Sequence, residues 1–199
     1  MNRSRRRENE RSTISPIIIA LLVQIFSHLE QLPVKPPVTI ILLGMNISAH
    51  VMESNVFGYN LWNIEQNCLH PAKIVGLLMD GNLSLNRLFL SSLIHADDYH
   101  LYYNMLSLVY KGIHLETELG STVFLQLVAF SLIVSHSLVV ILAYILYVYF
   151  DYDTSYRTCA VGFSAVLFAL KYVWNYKSTS IRYLQVYIYN FIHKICNVD

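Results

Sequence analysis

The stretch RTCAVGFSAVLFALKYVW, Arg157 to Trp174, is apolar enough to read as a membrane helix, yet it carries Gly162-Phe163-Ser164 near its start. A serine there has the local surroundings for acyl transfer. Orphan N–H groups and the helix dipole at an N-terminus favour negative charge developing on an attacked carbonyl oxygen. A helix starting near Cys159 puts Ser164 roughly 8 Å below that end, at 1.5 Å per residue. The competing reading is packing, because small residues line helix contacts in membranes. Ala165 and Ala169 make a small-x-x-x-small pair on the same helix.

His100 and Asn104, in HLYYN, are spaced i, i+4 and share one helix face. Both can donate hydrogen bonds, and polar side chains within a bilayer are functional suspects. With Ser164 at the same membrane end they form a nucleophile with two donors. A polar stripe against a neighbouring helix would have the same spacing. HADDYH (His95, Asp97, Asp98, His100) invites a metal reading. However, His-x4-His does not put both imidazoles on one helix face, and no third cluster matches it. No metal or cofactor is expected. His136, in the middle of an apolar run, reads as hydrogen-bonded within the bundle.

The elements that must position these residues are mostly apolar. Thr122–Phe150 contains no Asp, Glu, Lys or Arg and exceeds the about 20 residues needed to cross a bilayer. Tyr99–His114 and the Ser164 helix flank it. Ile14–Leu32, with Gln24, His28 and Glu30 interleaved, reads as an interfacial amphipathic helix ended by Pro33, Pro36 and Pro37. Val38–Val51 is a spanning candidate despite Asn46 and His50. Glu53–Asp98 reads as a long loop with short helices of its own, and such loops are often functional. The expected units are a basic cytosolic N-terminus with its interfacial helix (1–36), a core (37–176) and a short apolar tail (177–199).

Composition agrees. Of 199 residues, 55% are hydrophobic and 14% charged, against about 25% charged in soluble domains. The chain is an integral membrane protein on this reading, with the bilayer as its first partner. A net charge of +1 carries no signature of nucleic-acid binding, and no nucleic-acid partner is expected. Arg3, Arg5, Arg6, Arg7 and Arg11 place the N-terminus on the cytoplasmic side. The 53–98 loop and DYDTSYR (151–157) then face the opposite side. No small-residue cleavage site follows the first apolar run, so a cleaved leader is not expected. Cys68, Cys159 and Cys196 are too few for a disulfide framework, and any pairing among them stays open.

Three stretches in order, SSLIHADDYHLYYNM, KGIHLETELGS and CAVGFSAVLFALK, resemble the rhomboid family of intramembrane serine proteases. They correspond to its H-x-x-x-N motif, its Gly-x-x-Leu-Glu-x-x-x-Gly-Ser turn and its GxSG nucleophile helix. The resemblance covers about Val38–Trp174. It implies an all-α polytopic membrane helix bundle and a multi-pass protein of the endoplasmic reticulum membrane. It also implies a Ser-His dyad that cleaves transmembrane protein substrates. Ser164 would be the nucleophile, and His100, Asn104 and the Ser164 N–H would form the oxyanion hole. Phe168 would support the catalytic imidazole.

Two departures follow from the same comparison. Ala165 stands where the family usually has glycine. The Gly-His-x-x-Gly helix that supplies the base does not follow, and His193, the only histidine after Ser164, lacks flanking glycines. The bundle is therefore expected to lack its last two transmembrane helices. An unactivated serine hydroxyl is a poor nucleophile, so the chain by itself is expected to be a defective protease. The alternative is a non-catalytic rhomboid-like adaptor that delivers membrane proteins to ubiquitin-dependent degradation machinery.

Overall fold

A computed structural model describes residues 15–51, 63–82, 86–176 and 188. The arginine cluster, the first part of the long loop, Ser84, and the tail with His193 and Cys196 lie outside the described residues. Among the described residues there are nine helices: α1 (Pro16–Glu30), α2 (Pro37–Val51), α3 (Ile64–Asn67), α4 (Pro71–Met79), α5 (Asn86–Leu93), α6 (Asp98–Leu119), α7 (Ser121–Phe150), α8 (Thr154–Arg157) and α9 (Ser164–Asn175). The fold is all-α. Its only described β-pairing is an isolated antiparallel bridge between Leu69 and Ala160.

Helix α7 has 30 residues, about 45 Å of helix against a hydrocarbon core of roughly 30 Å. Its best window has a mean hydropathy of 2.3. Leu138, Ile141 and Leu142 present their side chains outward, as a lipid-facing surface requires. Its one mid-helix histidine is satisfied from within: His136 Nδ1–H donates to the Leu88 carbonyl at 2.6 Å. That matches the reading of His136 as a bundle residue.

Helix α6 is the hub. It packs against α1, α2, α7 and α9, and Leu101, Met105, Leu108, Val109 and Leu115 are wholly buried. The sequence reading ended this helix near His114, but it continues to Leu119 and turns into α7 through Gly120 alone. Gly120 has φ +82°, a conformation that glycine adopts without steric penalty. The extension exists because Glu116, expected in a loop, is buried. Its carboxylate accepts from the N–H of Val38 (2.9 Å), the N–H of Thr39 (2.7 Å) and the Thr39 hydroxyl (2.8 Å). These N–H groups open α2 and have no intrahelical partner. One turn earlier, Gly112 lets α2 approach: a Cβ there would stand 2.7 Å from Thr39 Oγ1.

Helix α1, read from the sequence as an interfacial amphipathic helix, does not stand off from the bundle in this structure. Instead Ile18, Leu21 and Ile25 join the core that α6 organises. Two of its interleaved polar residues reach α6 at the edge of this contact. The Tyr102 hydroxyl donates to Gln24 Oε1 at 2.8 Å, and His28 Nε2 meets the Tyr110 hydroxyl at 3.0 Å.

Candidate active site

The long loop does hold short helices, α3 to α5, and they form the platform on which the Ser164 connector lies. Helices α4 and α5 pack on α7, and α4 also touches α8. Across this platform Leu69 and Ala160 exchange two backbone hydrogen bonds, at 2.9 and 3.0 Å. Beside them Cys68 and Cys159 are joined in a disulfide with a Cα–Cα distance of 5.6 Å. This settles the open pairing in favour of that pair. The crosslink joins residues 91 positions apart.

The connector then places Gly162, whose N–H donates to the Ser91 carbonyl at 2.8 Å. Gly162 has φ +111°, and a Cβ on it would stand 2.7 Å from His100 Cε1 and 2.8 Å from Nε2. Glycine is required here twice over, by backbone conformation and by the imidazole against it. This close approach brings the GFS segment to the start of α6.

Ser164 is the first residue of α9, not a residue more than a turn inside it. The helix starts late because residues 158–162 are held in extended and positive-φ geometry by the bridge and the Ser91 contact. Buried Phe163 is the N-cap, and the first described α9 bond runs from the Leu167 N–H to the Phe163 carbonyl at 3.1 Å. The N–H groups of Ser164, Ala165 and Val166 precede it. They lie at the positive end of the helix dipole.

Ser164 and Asn104 line one cleft of about 230 Å³ between α9 and α6, with Tyr103 and Phe168 also on its walls. Asn104 is buried. One hydrogen of its amide goes to the His100 carbonyl at 2.7 Å, which leaves the second to give. Its Oδ1 has no hydrogen-bond partner among the described residues. Half-buried His100 is fixed at its backbone, where its N–H is capped by Asp97 Oδ1 at 2.8 Å. Phe168, for which the resemblance implies an aromatic support, is 72% exposed and reaches the cleft wall.

The HADDYH residues resolve into separate roles. Asp97 caps α6, and Asp98 accepts from His50 Nε2–H at 2.8 Å. The helix-face argument against a His95–His100 pair does not apply, because His95 precedes the helix. Their rings meet edge-on with centroids 5.1 Å apart. Burial, and then the neighbouring His100, push the His95 imidazole down to about 4. His95, against His100, and His50, on Asp98, adjoin the start of α6; the sequence reading weighed His95 only as a metal ligand and His50 only as a polar residue of a span. The only available signal was their type, since His50 lies 45 positions before His95.

A chain that presents a serine at a helix N-terminus beside an asparagine and a histidine can be compared with known proteins on those terms. The family model described as "Rhomboid domain" matches residues 82–195. "Rhomboid-like protein 14, mitochondrial" of Arabidopsis thaliana is 40% identical over 73% of this chain and 42% of its own length. "Rhomboid-related protein 4" of Homo sapiens is 36% identical over 80% of this chain and 46% of its own. The mouse protein of the same name is 33% identical over the same shares. This chain thus spans less than half the length of these relatives. No solved structure matches it. The match across residues 82–195 contains the His100–Asn104 helix, α7 and the Ser164 helix, and the chain belongs to the rhomboid family.

Proposed function

We propose that this chain carries the nucleophile and oxyanion half of a rhomboid-type intramembrane serine endopeptidase acting on transmembrane proteins. The observation that carries the reading is the meeting of α6 and α9. Ser164 opens α9 in the same cleft as the Asn104 amide, while His100 lies against Gly162 two residues earlier.

The Ser164 hydroxyl attacks a peptide carbonyl of the substrate, forming the C–O bond as the carbonyl π electrons move onto oxygen. On this reading the N–H groups at the start of α9 and the second Asn104 N–H stabilise that oxyanion. His100 is the further donor that the family resemblance assigns. The hydroxyl proton goes to a histidine base, which the family carries on a later Gly-His-x-x-Gly helix. That base later protonates the leaving amine, and water releases the acyl group from Ser164.

The Cys68–Cys159 disulfide supports placing this end of the bundle in an oxidising compartment. Together with the family resemblance, it favours the lumenal face of a multi-pass protein of the endoplasmic reticulum membrane.

The test compares the native full-length product with its Ser164→Ala variant, incubated with a type I membrane substrate in proteoliposomes. Cleavage by the native protein that drops to background in the variant supports the peptidase. Equal substrate turnover in both removes it. If the substrate is then still captured, the reading becomes that of an adaptor for degradation machinery.

A further inference from the structure

We infer that the Cys68–Cys159 disulfide is a positioning element for Ser164, and that its reduction by a dithiol releases the segment that delivers the nucleophile. The inference rests on the reading of Ser164 as nucleophile.

The connector 151–163 joins the end of α7 to Ser164. Its first residues are held on α7, by the Tyr152 N–H bond to the Leu146 carbonyl and by Tyr156 stacked on Tyr147, and its last, Phe163, is buried in the core. Between them, residues 158–162 are held to the α3–α5 platform by the disulfide, the Leu69–Ala160 bridge and the Gly162–Ser91 hydrogen bond. The two cysteines directly precede the two bridge residues, so the covalent bond and the bridge act at one point. Cys159 is five residues before Ser164. Opening the S–S bond leaves three backbone hydrogen bonds between residues 158–162 and the platform, and residues 157–160 are all exposed. A small shift there moves Gly162 off the His100 ring and Ser164 away from Asn104.

The bond is also built asymmetrically. Cys159 is exposed and Cys68 is buried, at 1%. A thiolate from solution can reach the Cys159 sulfur, and the Cys68 thiolate leaves. The Arg87 guanidinium, which donates to the Cys68 carbonyl at 3.2 Å, favours that leaving charge. The second thiolate of the dithiol then attacks the mixed disulfide and expels the Cys159 thiolate. The dithiol departs as its own disulfide, two electrons are transferred, and its two protons end on Cys68 and Cys159.

The experiment uses the native full-length product in nanodiscs, oxidised or reduced with dithiothreitol, alongside its Cys68→Ser/Cys159→Ser variant. Three quantities are read: disulfide mapping by mass spectrometry, amide hydrogen exchange, and labelling of Ser164 by a fluorophosphonate. In the reduced and double-serine proteins, exchange at Ala160 and Gly162 is expected to rise about tenfold or more, while α7 amides hold steady. Labelling is expected to fall by about tenfold and to return on reoxidation of the native chain. Loosening without labelling in either state supports the tether and removes the proteolytic reading instead. The inference is overturned if mapping finds no Cys68–Cys159 linkage. It is equally overturned if exchange at Ala160 and Gly162 ignores reduction, or if α7 loosens to the same degree, which would make the bond a general staple.

Discussion

Gly162 lies against the imidazole of His100 so closely that a single added methyl would stand inside van der Waals contact with two ring atoms. Gly162→Ala would also have to occupy φ +111°, where L side chains are strained. The methyl must therefore push either His100 or the connector aside. Activity of the full-length product is expected to fall about a hundredfold, the scale of losing one oxyanion donor. The unfolding temperature should fall by a few degrees as well, because the positive φ and the clash with the half-buried His100 ring both cost stability. Near-native cleavage by this variant would show that His100 can be displaced without consequence.

Glu116 gives a prediction of the opposite kind, in stability. Its carboxylate satisfies two N–H groups at the start of α2 and one hydroxyl. Glu116→Gln keeps the shape but turns an NH2 toward those donors. Bonds to a charged acceptor contribute about 1.5–3 kcal/mol each, and buried donors left unmet cost a similar amount. A loss of about 2–3 kcal/mol is expected, read by thermal unfolding in detergent micelles. Glu116→Asp, with a shorter reach, should fall between the two.

The histidines before α6 predict acid sensitivity. His95 is held at about 4 against an ordinary 6.5, first by burial and then by His100. A histidine lowered in the folded state binds fewer protons than in the unfolded chain between those values. Its contribution is therefore fully present above 6.5 and is lost as pH falls toward 4. The loss is up to about 3 kcal/mol if the full shift is realised. A His95→Asn variant should unfold at a temperature less dependent on pH across that window, and parallel curves for the two proteins would refute the assignment.

Orientation can be checked at Asn82, which is exposed just after α4 and begins the sequence Asn-Leu-Ser. If the platform faces the lumen, Asn82 receives a glycan during synthesis into microsomes, and endoglycosidase treatment removes the mobility shift. Asn82→Gln should abolish the shift. Modification of an engineered cysteine nearby by a cytosolic reagent would invert the topology.

Much of this was legible in the sequence because periodicity and composition determine helices. The charge-free run became α7, and the i, i+4 spacing put His100 and Asn104 on α6. What escaped was set by contacts between distant segments. The start of α9 was misplaced because the bridge to Leu69 and the Ser91 bond hold the preceding residues out of helical geometry. Glu116 looked like loop polarity because its partners lie 77 and 78 residues away. Helix α1 looked peripheral because Gln24 and His28 are polar, and only the tyrosines of α6 explain where they point. The cysteine pairing needed two loops to meet, which no local pattern reports.

The two halves of the site are held in different ways. Helix α6, with His100 and Asn104, is gripped by helices on several sides, whereas the stretch 158–162 that leads to Ser164 is held along the exposed edge of the platform. Natural variation should therefore divide along this line. Changes at Leu101, Met105 or Leu108 would remove the protein from the membrane through quality control. Changes at exposed connector positions such as Thr158 or Ala160 would leave normal amounts of a protein with altered chemistry. Abundance and activity, measured over the same set of variants, would then trace two separate maps of one small cleft.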